Sequence, residues 1–333
     1  MNNSNALLIC HLSSEIGVGH LSRLLALAQN LSEEGKVTPQ FLIFGDFIKR
    51  NELESFKVYS FSLEASFVDT IQNILKIDSF DVLIFDIFPR INIPNLDNLF
   101  IQLKRRQLIL IGIDSLVDYC NILDLIWIPS FSFDCQKHTN CKSLLRSGWD
   151  SFLIQKRLQH KDWTPGSKVL ILTGGSDAWN LGKTLPIQLD NLLSIGTSVN
   201  WVKGPFSMAP ILPKKCRLNW TISNSPEQLD ELIVQSNYIM TLFGVTFFEV
   251  LQYGIPTVVF SPNGDKDNIE LNALSKEGVA LVENNPQHAI NGLFKLMNNR
   301  KLAEKYSKKS LKKMSMSGVK NLSNEIYSLM RLK

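Results

Sequence analysis

Three short stretches of this chain combine glycines with polar side chains at spacings that can do chemistry. Gly17-Val18-Gly19-His20-Leu21-Ser22-Arg23 sets an imidazole and a guanidinium one helical turn apart. Gly244-Val245-Thr246-Phe247-Phe248-Glu249 sets a carboxylate three residues beyond a hydroxyl, on the same side of a helix and one turn deeper. Gly174-Gly175-Ser176-Asp177 offers amides and a hydroxyl to a phosphate, with glycines that allow close backbone approach. A histidine moves protons near neutral pH, and Arg23 can hold an anion or a carboxylate. First-turn amides near Thr246 lack an intrahelical acceptor and, with the helix dipole, suit a phosphate or pyrophosphate. Glu249 can accept both hydroxyls of a ribose. Plainer alternatives stand beside each reading: Thr246 as a helix cap with Glu249 closing a capping box, His20 as a cap or buried hydrogen-bonder, and Gly-Gly-Ser as a tight turn.

Chemistry of this kind needs strands that end where helices begin. Residues 6–11 form an apolar first strand, followed by the glycine-rich turn and by Leu24, Leu25, Leu27, Ala28 and Leu31 at helical spacing up to Gly35. Strands are expected at 40–44, 57–61, 81–86, 108–113, 123–128, 168–173, 198–203, 218–222, 237–241 and 257–260. Helices are expected at 67–75, 180–193, 226–235 and across 286–333, the last region opened by Pro286. Alternating strands and helices imply an α/β class with doubly wound parallel sheets and ligands at the carboxyl ends of the strands. Asp86 and Asp114 close two of these strands and so fall on the functional edge, unless they serve as helix caps. The polar, Pro-Gly-broken stretch 159–167 marks a boundary. The expected domains are 1–160, with His20, and 161–318, followed by a terminal helix at 319–333.

The 333 residues suit two domains better than one. A hydrophobic content of 44%, a charged content of 20% and a net charge of +4 describe an ordinary globular chain without a nucleic-acid footprint. No basic n-region precedes the first apolar run and no window reaches a membrane span, so a cytoplasmic location is expected. Five cysteines without framework spacing are expected as free thiols. Cys135, His138 and Cys141 lack a second ligand pair, so neither metal nor cofactor is expected. Lys295, Arg300, Lys301, Lys305, Lys308, Lys309, Lys312 and Lys313 form a basic cluster, either a solvated face or a weak peripheral contact with anionic lipid.

The order Gly244-x-Thr246-x-x-Glu249, Gly254-x-Pro256, a strand and a polar segment resembles the donor half-site of GT-B nucleotide-sugar enzymes, in particular family 28 glycosyltransferases. Gly17-x-Gly19-His20-x-x-Arg23 and Gly174-Gly175-Ser176-Asp177 are similar to motifs of the UDP-sugar hydrolases of the pseudaminic acid pathway. The resemblance implies two Rossmann-like domains with parallel sheets facing a central cleft, the second, 161–318, binding the nucleotide sugar, and the helix at 319–333 crossing back to the first. It implies that Glu249 grips the ribose, that the backbone of Phe243, Gly244, Val245 and Thr246 holds the diphosphate, and that His20 is the catalytic residue with Arg23 and Asp86 beside it. Lys266, Asp267 and Asn268 would meet the donor sugar, and Gly17, Gly19, Gly174, Gly175 and Ser176 its phosphates. Where the hydrolases have Asp-x-Tyr, this chain has Asp86-x-Phe88, which cannot donate a hydrogen bond. The Lys266-Asp267 segment also lacks the two glutamines of the family 28 transferases of peptidoglycan lipid-precursor synthesis and the Asn-Gln of the hydrolases.

The implied function is transfer of a sugar from a nucleoside diphosphate, UDP foremost, to a glycan, lipid-linked or sialic-acid-like acceptor in surface-polysaccharide synthesis. The alternatives are hydrolysis of the same donor and non-catalytic nucleotide-sugar binding.

Overall fold

The structure is a computed structural model that describes every residue except 1–3, 47, 49, 160, 227, 228, 262–266 and 333. It divides into two compact units, residues 1–154 with 316–333, and residues 155–315.

In the first unit β1 (Ser4–Leu12) leads into α1 (Gly19–Glu34), β2 (Val37–Gly45), β3 (Lys57–Phe61), α2 (Phe67–Ile77) and β4 (Val82–Asp86). Then come α3 (Leu96–Arg105), β5 (Ile109–Ile113), β6 (Leu125–Ile128) and β7 (Leu144–Ser147). All seven strands are parallel, in the order β3-β2-β1-β4-β5-β6-β7. Both faces of the central strands are covered, which is why β1 and β4 read as unbroken apolar runs. Leu21, Leu24, Leu25, Ala28 and Leu31 turn inward from α1, and Gly35 ends the helix with φ of 67°. Phe44, Phe67, Phe85 and Phe100 fill the core on the side of α2 and α3.

The second unit runs β8 (Lys168–Leu172), α4 (Leu185–Leu192), β9 (Ser198–Lys203), β10 (Asn219–Asn224), α5 (Leu229–Val234) and β11 (Tyr238–Leu242). It continues with α6 (Val245–Leu251), β12 (Thr257–Phe260), α7 (Asn268–Glu277), β13 (Leu281–Glu283), α8 (Pro286–Met297) and α9 (Arg300–Lys313). Its six parallel strands are ordered β10-β9-β8-β11-β12-β13, the pattern of the first unit one strand shorter. The final helix, α10 (Gly318–Arg331), belongs to the first unit. There Ser323 Oγ accepts from Asn30 at 2.9 Å, and Glu325 pairs with Arg146 at 2.8 Å.

Several elements depart from expectation. The helix expected over 180–193 is broken into a 3-10 turn at Leu181–Lys183 and α4, because Asp177 caps the short first turn through the Leu181 and Gly182 amides and Pro186 restarts the helix in its first turn. α3 is an additional helix, its apolar stripe of Leu96, Leu99, Phe100 and Leu103 embedded in polar sequence. β7 is an edge strand of mixed polarity. Cys120 and Cys141 form a disulfide, so the expectation of five free thiols is corrected: Cys10, Cys135 and Cys216 alone are free. The pairing arises because the turn after β5 and the loop before β7 meet in space, which a separation of 21 residues does not announce.

Candidate functional site

In an open parallel sheet, ligands bind at the carboxyl ends of the strands where the order reverses direction. That switch point lies between β1 and β4 in the first unit and between β8 and β11 in the second.

At the first switch point four side chains converge. Asp86 closes β4 and is fully buried, paired in register with Cys10 of β1. His20 is the second residue of α1, and its Nδ1 lies 2.7 Å from Asp86 Oδ1. Arg23, one turn further, donates from Nε to Asp86 Oδ2 at 2.9 Å and from Nη2 to Oδ1 at 2.7 Å. Its Nη1 donates to Asp114 Oδ2 at 3.1 Å. Burial would raise the Asp86 carboxyl, but the charge of Arg23 and the hydrogen bonds from His20 and Arg23 outweigh it and hold it below the usual carboxylate range. Burial would likewise lower Arg23, and the Asp86 and Asp114 carboxylates raise it instead.

This network decides the tautomer of His20. An ionised carboxylate only accepts, so Nδ1 carries the hydrogen, and in the neutral ring the lone pair is the one on Nε2. Arg23 Nη2 also lies 3.1 Å from Nδ1; both groups carry hydrogens, and Asp86 Oδ1 accepts from each. Among the described residues Nε2 has no hydrogen-bond partner, and the His20 side chain is 12% exposed. The Phe88 ring packs edge-on against the imidazole, with centroids 6.0 Å apart at 83°. Where a tyrosine would donate, Phe88 buttresses.

His11, at the end of β1, is a residue the sequence reading passed over. Its buried ring lies against Phe44 and Phe67, and its Nδ1 accepts the Phe88 amide at 3.0 Å, fixing the backbone that follows Asp86. Burial, reinforced by His20, lowers its pKa to about 4, so it is neutral. Its only signal in the sequence is a polar residue closing a strand that is otherwise apolar. Gly17 donates its amide to Ser13 O at 2.8 Å within the turn, and Gly19 opens α1.

The second switch point is made mostly of backbone. Phe243 donates its amide to Phe260 O at 2.9 Å and so extends the sheet. The amides of Gly244, Val245 and Thr246 carry no backbone hydrogen bond among the described residues and open the short helix α6. Gly244 has φ of 156° and ψ of −169°, a region nearly closed to other residues. Gly244 is the N-cap and makes no side-chain bond, so Thr246 is the second helical residue and the capping-box alternative does not apply. Glu249 sits in the same helix and is partly buried.

On the neighbouring strand β8, the Gly174-Gly175-Ser176 turn is gripped from outside: Gly175 O accepts the Phe206 amide at 2.9 Å. Gly204 comes so near that a Cβ there would lie 2.4 Å from Gly175 O and 2.5 Å from Gly174 O. Asp177 turns inward, accepting the Leu181 and Gly182 amides at 3.0 and 2.9 Å. After β12, Ser261 donates its hydroxyl to Asp267, and Asn268 begins α7. Lys266 lies outside the described residues. The structure thus gathers His20, Arg23 and Asp86 in one unit, and sets Gly174–Ser176 and Gly244–Glu249 on adjacent strands of the other.

Cys135, His138 and Cys141 do not converge on a metal. Cys141 is in the disulfide, His138 stacks on Phe133 at 5.0 Å, and Cys135 Sγ lies 3.2 Å from Ser147 Oγ.

No protein-family model matches the chain, and no curated protein matches its sequence. Solved structures do match its fold. MurG of Acinetobacter baumannii superimposes with a TM-score of 0.63 at 13% identity, over 98% of this chain and 99% of that one. S. aureus MnaA, solved with UDP, gives 0.65 at 12% identity over 99% and 98%. UGT2 of Phytolacca americana, solved with UDP-2fluoro-glucose and pterostilbene, gives 0.65 at 13% identity over 97% and 99%. At these identities the likeness is one of fold: the chain has two Rossmann-like domains of the GT-B fold class.

Proposed function

We propose that the protein is a glycosyltransferase that moves a sugar from a nucleoside diphosphate, foremost UDP, to a hydroxyl of a glycan, lipid-linked or sialic-acid-like acceptor. The supporting observation is the 2.7 Å bond between His20 Nδ1 and a carboxylate clamped by Arg23, which leaves Nε2 as a base. Nε2 takes the acceptor hydroxyl proton as that oxygen bonds to the anomeric carbon. The bond from the anomeric carbon to the phosphate oxygen breaks, and the nucleoside diphosphate leaves with the electron pair. The Gly244, Val245 and Thr246 amides stabilise the charge gathering on it, and Glu249 holds the ribose. Solved relatives in fold carry UDP and a UDP-sugar analogue, which supports the choice of donor.

Hydrolysis of the same donor is the second reading, favoured by the Gly17-x-Gly19-His20-x-x-Arg23 motif, with water in place of the acceptor. Incubation with a panel of UDP-sugars, with and without acceptors, followed by NMR, separates the two. Transfer predicts nucleotide release that depends on acceptor and falls about 10²- to 10⁴-fold in His20→Ala. Rapid free-sugar release without acceptor would assign the hydrolase. Activities untouched by His20→Ala would leave only a nucleotide-sugar binder.

A further inference from the structure

The basic helix α9 suggests electrostatic contact with a membrane, but an adjacent part of the same unit has both of the properties that interfacial binding requires. Residues 178–226 contain five cations, Lys183, Lys203, Lys214, Lys215 and Arg217, against one acid, Asp190. That acid faces inward: it is 2% exposed and accepts from the Arg217 and Leu218 amides and from Trp220 Nε1, all within 3.1 Å. The charged side chains that this stretch leaves at the surface are therefore all cations.

Two segments of this stretch carry large apolar side chains in water. Met208 is 78% exposed, Ile211 54% and Trp179 49%. They come from two segments held against each other, with Ile211 donating its amide to Gly182 O at 2.8 Å and Pro210 packed 3.3 Å from where a Gly182 Cβ would lie. The loop reads Met208-Ala209-Pro210-Ile211-Leu212-Pro213-Lys214-Lys215, and both lysines are exposed without an ion pair among the described residues. Isolated exposed apolar residues are ordinary, but a cluster rimmed by one sign of charge marks a contact surface.

We propose that this loop and the Trp179 turn dock the second unit onto an anionic bilayer. Met208 and Ile211 enter the boundary between headgroups and acyl chains, Trp179 lies at the polar interface, and Lys214 and Lys215 stay with the headgroup charges. α9 lacks the apolar half of this arrangement: Ala303, Ser307 and Ser310 face inward, and none of its described residues is a large exposed apolar one. Charge alone gives weak, salt-sensitive adhesion. This surface adjoins the Gly174–Ser176 turn, so its test reads vesicle binding and not turnover.

Sedimentation with phosphatidylglycerol–phosphatidylcholine vesicles, set against pure phosphatidylcholine, tests it. The full chain is expected on the anionic vesicles only. Met208→Ser with Ile211→Ser should weaken binding about tenfold or more, as should Lys214→Gln with Lys215→Gln. Replacing Lys301, Lys305, Lys308 and Lys312 of α9 by Gln should have the smaller effect, and unchanged melting curves certify that the variants are folded. The proposal falls if the unmodified chain ignores anionic vesicles, or if the α9 variant abolishes binding while Met208→Ser with Ile211→Ser binds normally. It also falls if the Met208 and Ile211 substitutions dissolve a dimer that exists without vesicles, which would give the patch to a second copy of the chain.

Discussion

The two units share a strand order and put their candidate chemistry at the same reversal in it, yet one site is built of side chains and the other of backbone. Around His20 the geometry depends on a buried carboxylate, a guanidinium fork and a neutral histidine behind them. Around Gly244 it depends on backbone torsions and on amides that carry no backbone hydrogen bond among the described residues at the start of a short helix. A side-chain site is specific and brittle, because removing one member strands the others in a dry interior. A backbone site tolerates most side-chain changes and answers chiefly to its glycines.

The severest test of this contrast is Asp86→Asn. The amide can present its NH₂ to Nδ1 and push the hydrogen to Nε2, so kcat/KM should fall about 10²- to 10⁴-fold. Arg23, left without its buried partner, should cost about 3–5 kcal/mol of stability in urea denaturation, while nucleotide affinity stays within about twofold, below the ~1 kcal/mol of an ordinary hydrogen bond. Activity near the unmodified level would refute the side-chain account of the first site.

Cys120→Ser sharpens the comparison through stability. Opening the covalent loop should cost about 3 kcal/mol, and a thermal melt resolving the two units should show the loss in the first unit alone.

Acid titration tests the buried groups of the first unit. Burial holds His11 near pKa 4 in the folded state, against 6.5 when free, so between these values the unfolded chain binds the extra proton. Stability of the first unit should therefore decline as pH falls through this window, by at most about 3 kcal/mol. Asp86 acts in the same sense at lower pH: its depressed folded pKa contributes stability that is present above the unfolded value and lost as pH falls through the folded one. In His11→Asn, whose Oδ1 can still accept the Phe88 amide, the decline between pH 6.5 and 4 should flatten. An unchanged acid limb would remove His11 from the account.

The smallest effect belongs to the second site. Glu249→Ala should weaken UDP binding by about 1.5–3 kcal/mol, tenfold or more by calorimetry, without altering the turnover of bound donor. Equal affinity in the variant would leave the ribose held by other groups.

Much of the scaffold was legible because it follows from local rules. The apolar runs of β1, β4, β8 and β12 are short, buried on both faces and bounded by breakers, so they read as parallel strands without further information. Gly35 and Pro286 punctuate helices for equally local reasons. α3 carried a readable stripe inside polar sequence, whereas the break at Thr184 depends on Asp177 capping a 3-10 turn from four residues away.

Sequence by itself determined the α/β class, the glycine turns at the carboxyl ends of two strands, and the candidacy of His20, Arg23, Asp86 and Glu249, since strand period, backbone freedom and side-chain chemistry are local properties. Only the tertiary structure decided that Asp86 and not solvent meets His20 Nδ1, that Arg23 spans Asp86 and Asp114, that His11 supports Phe88, and that Cys120 finds Cys141. Those contacts join residues 21 to 91 positions apart, and their partners are chosen by the order in which strands are laid side by side, which no short window of sequence contains.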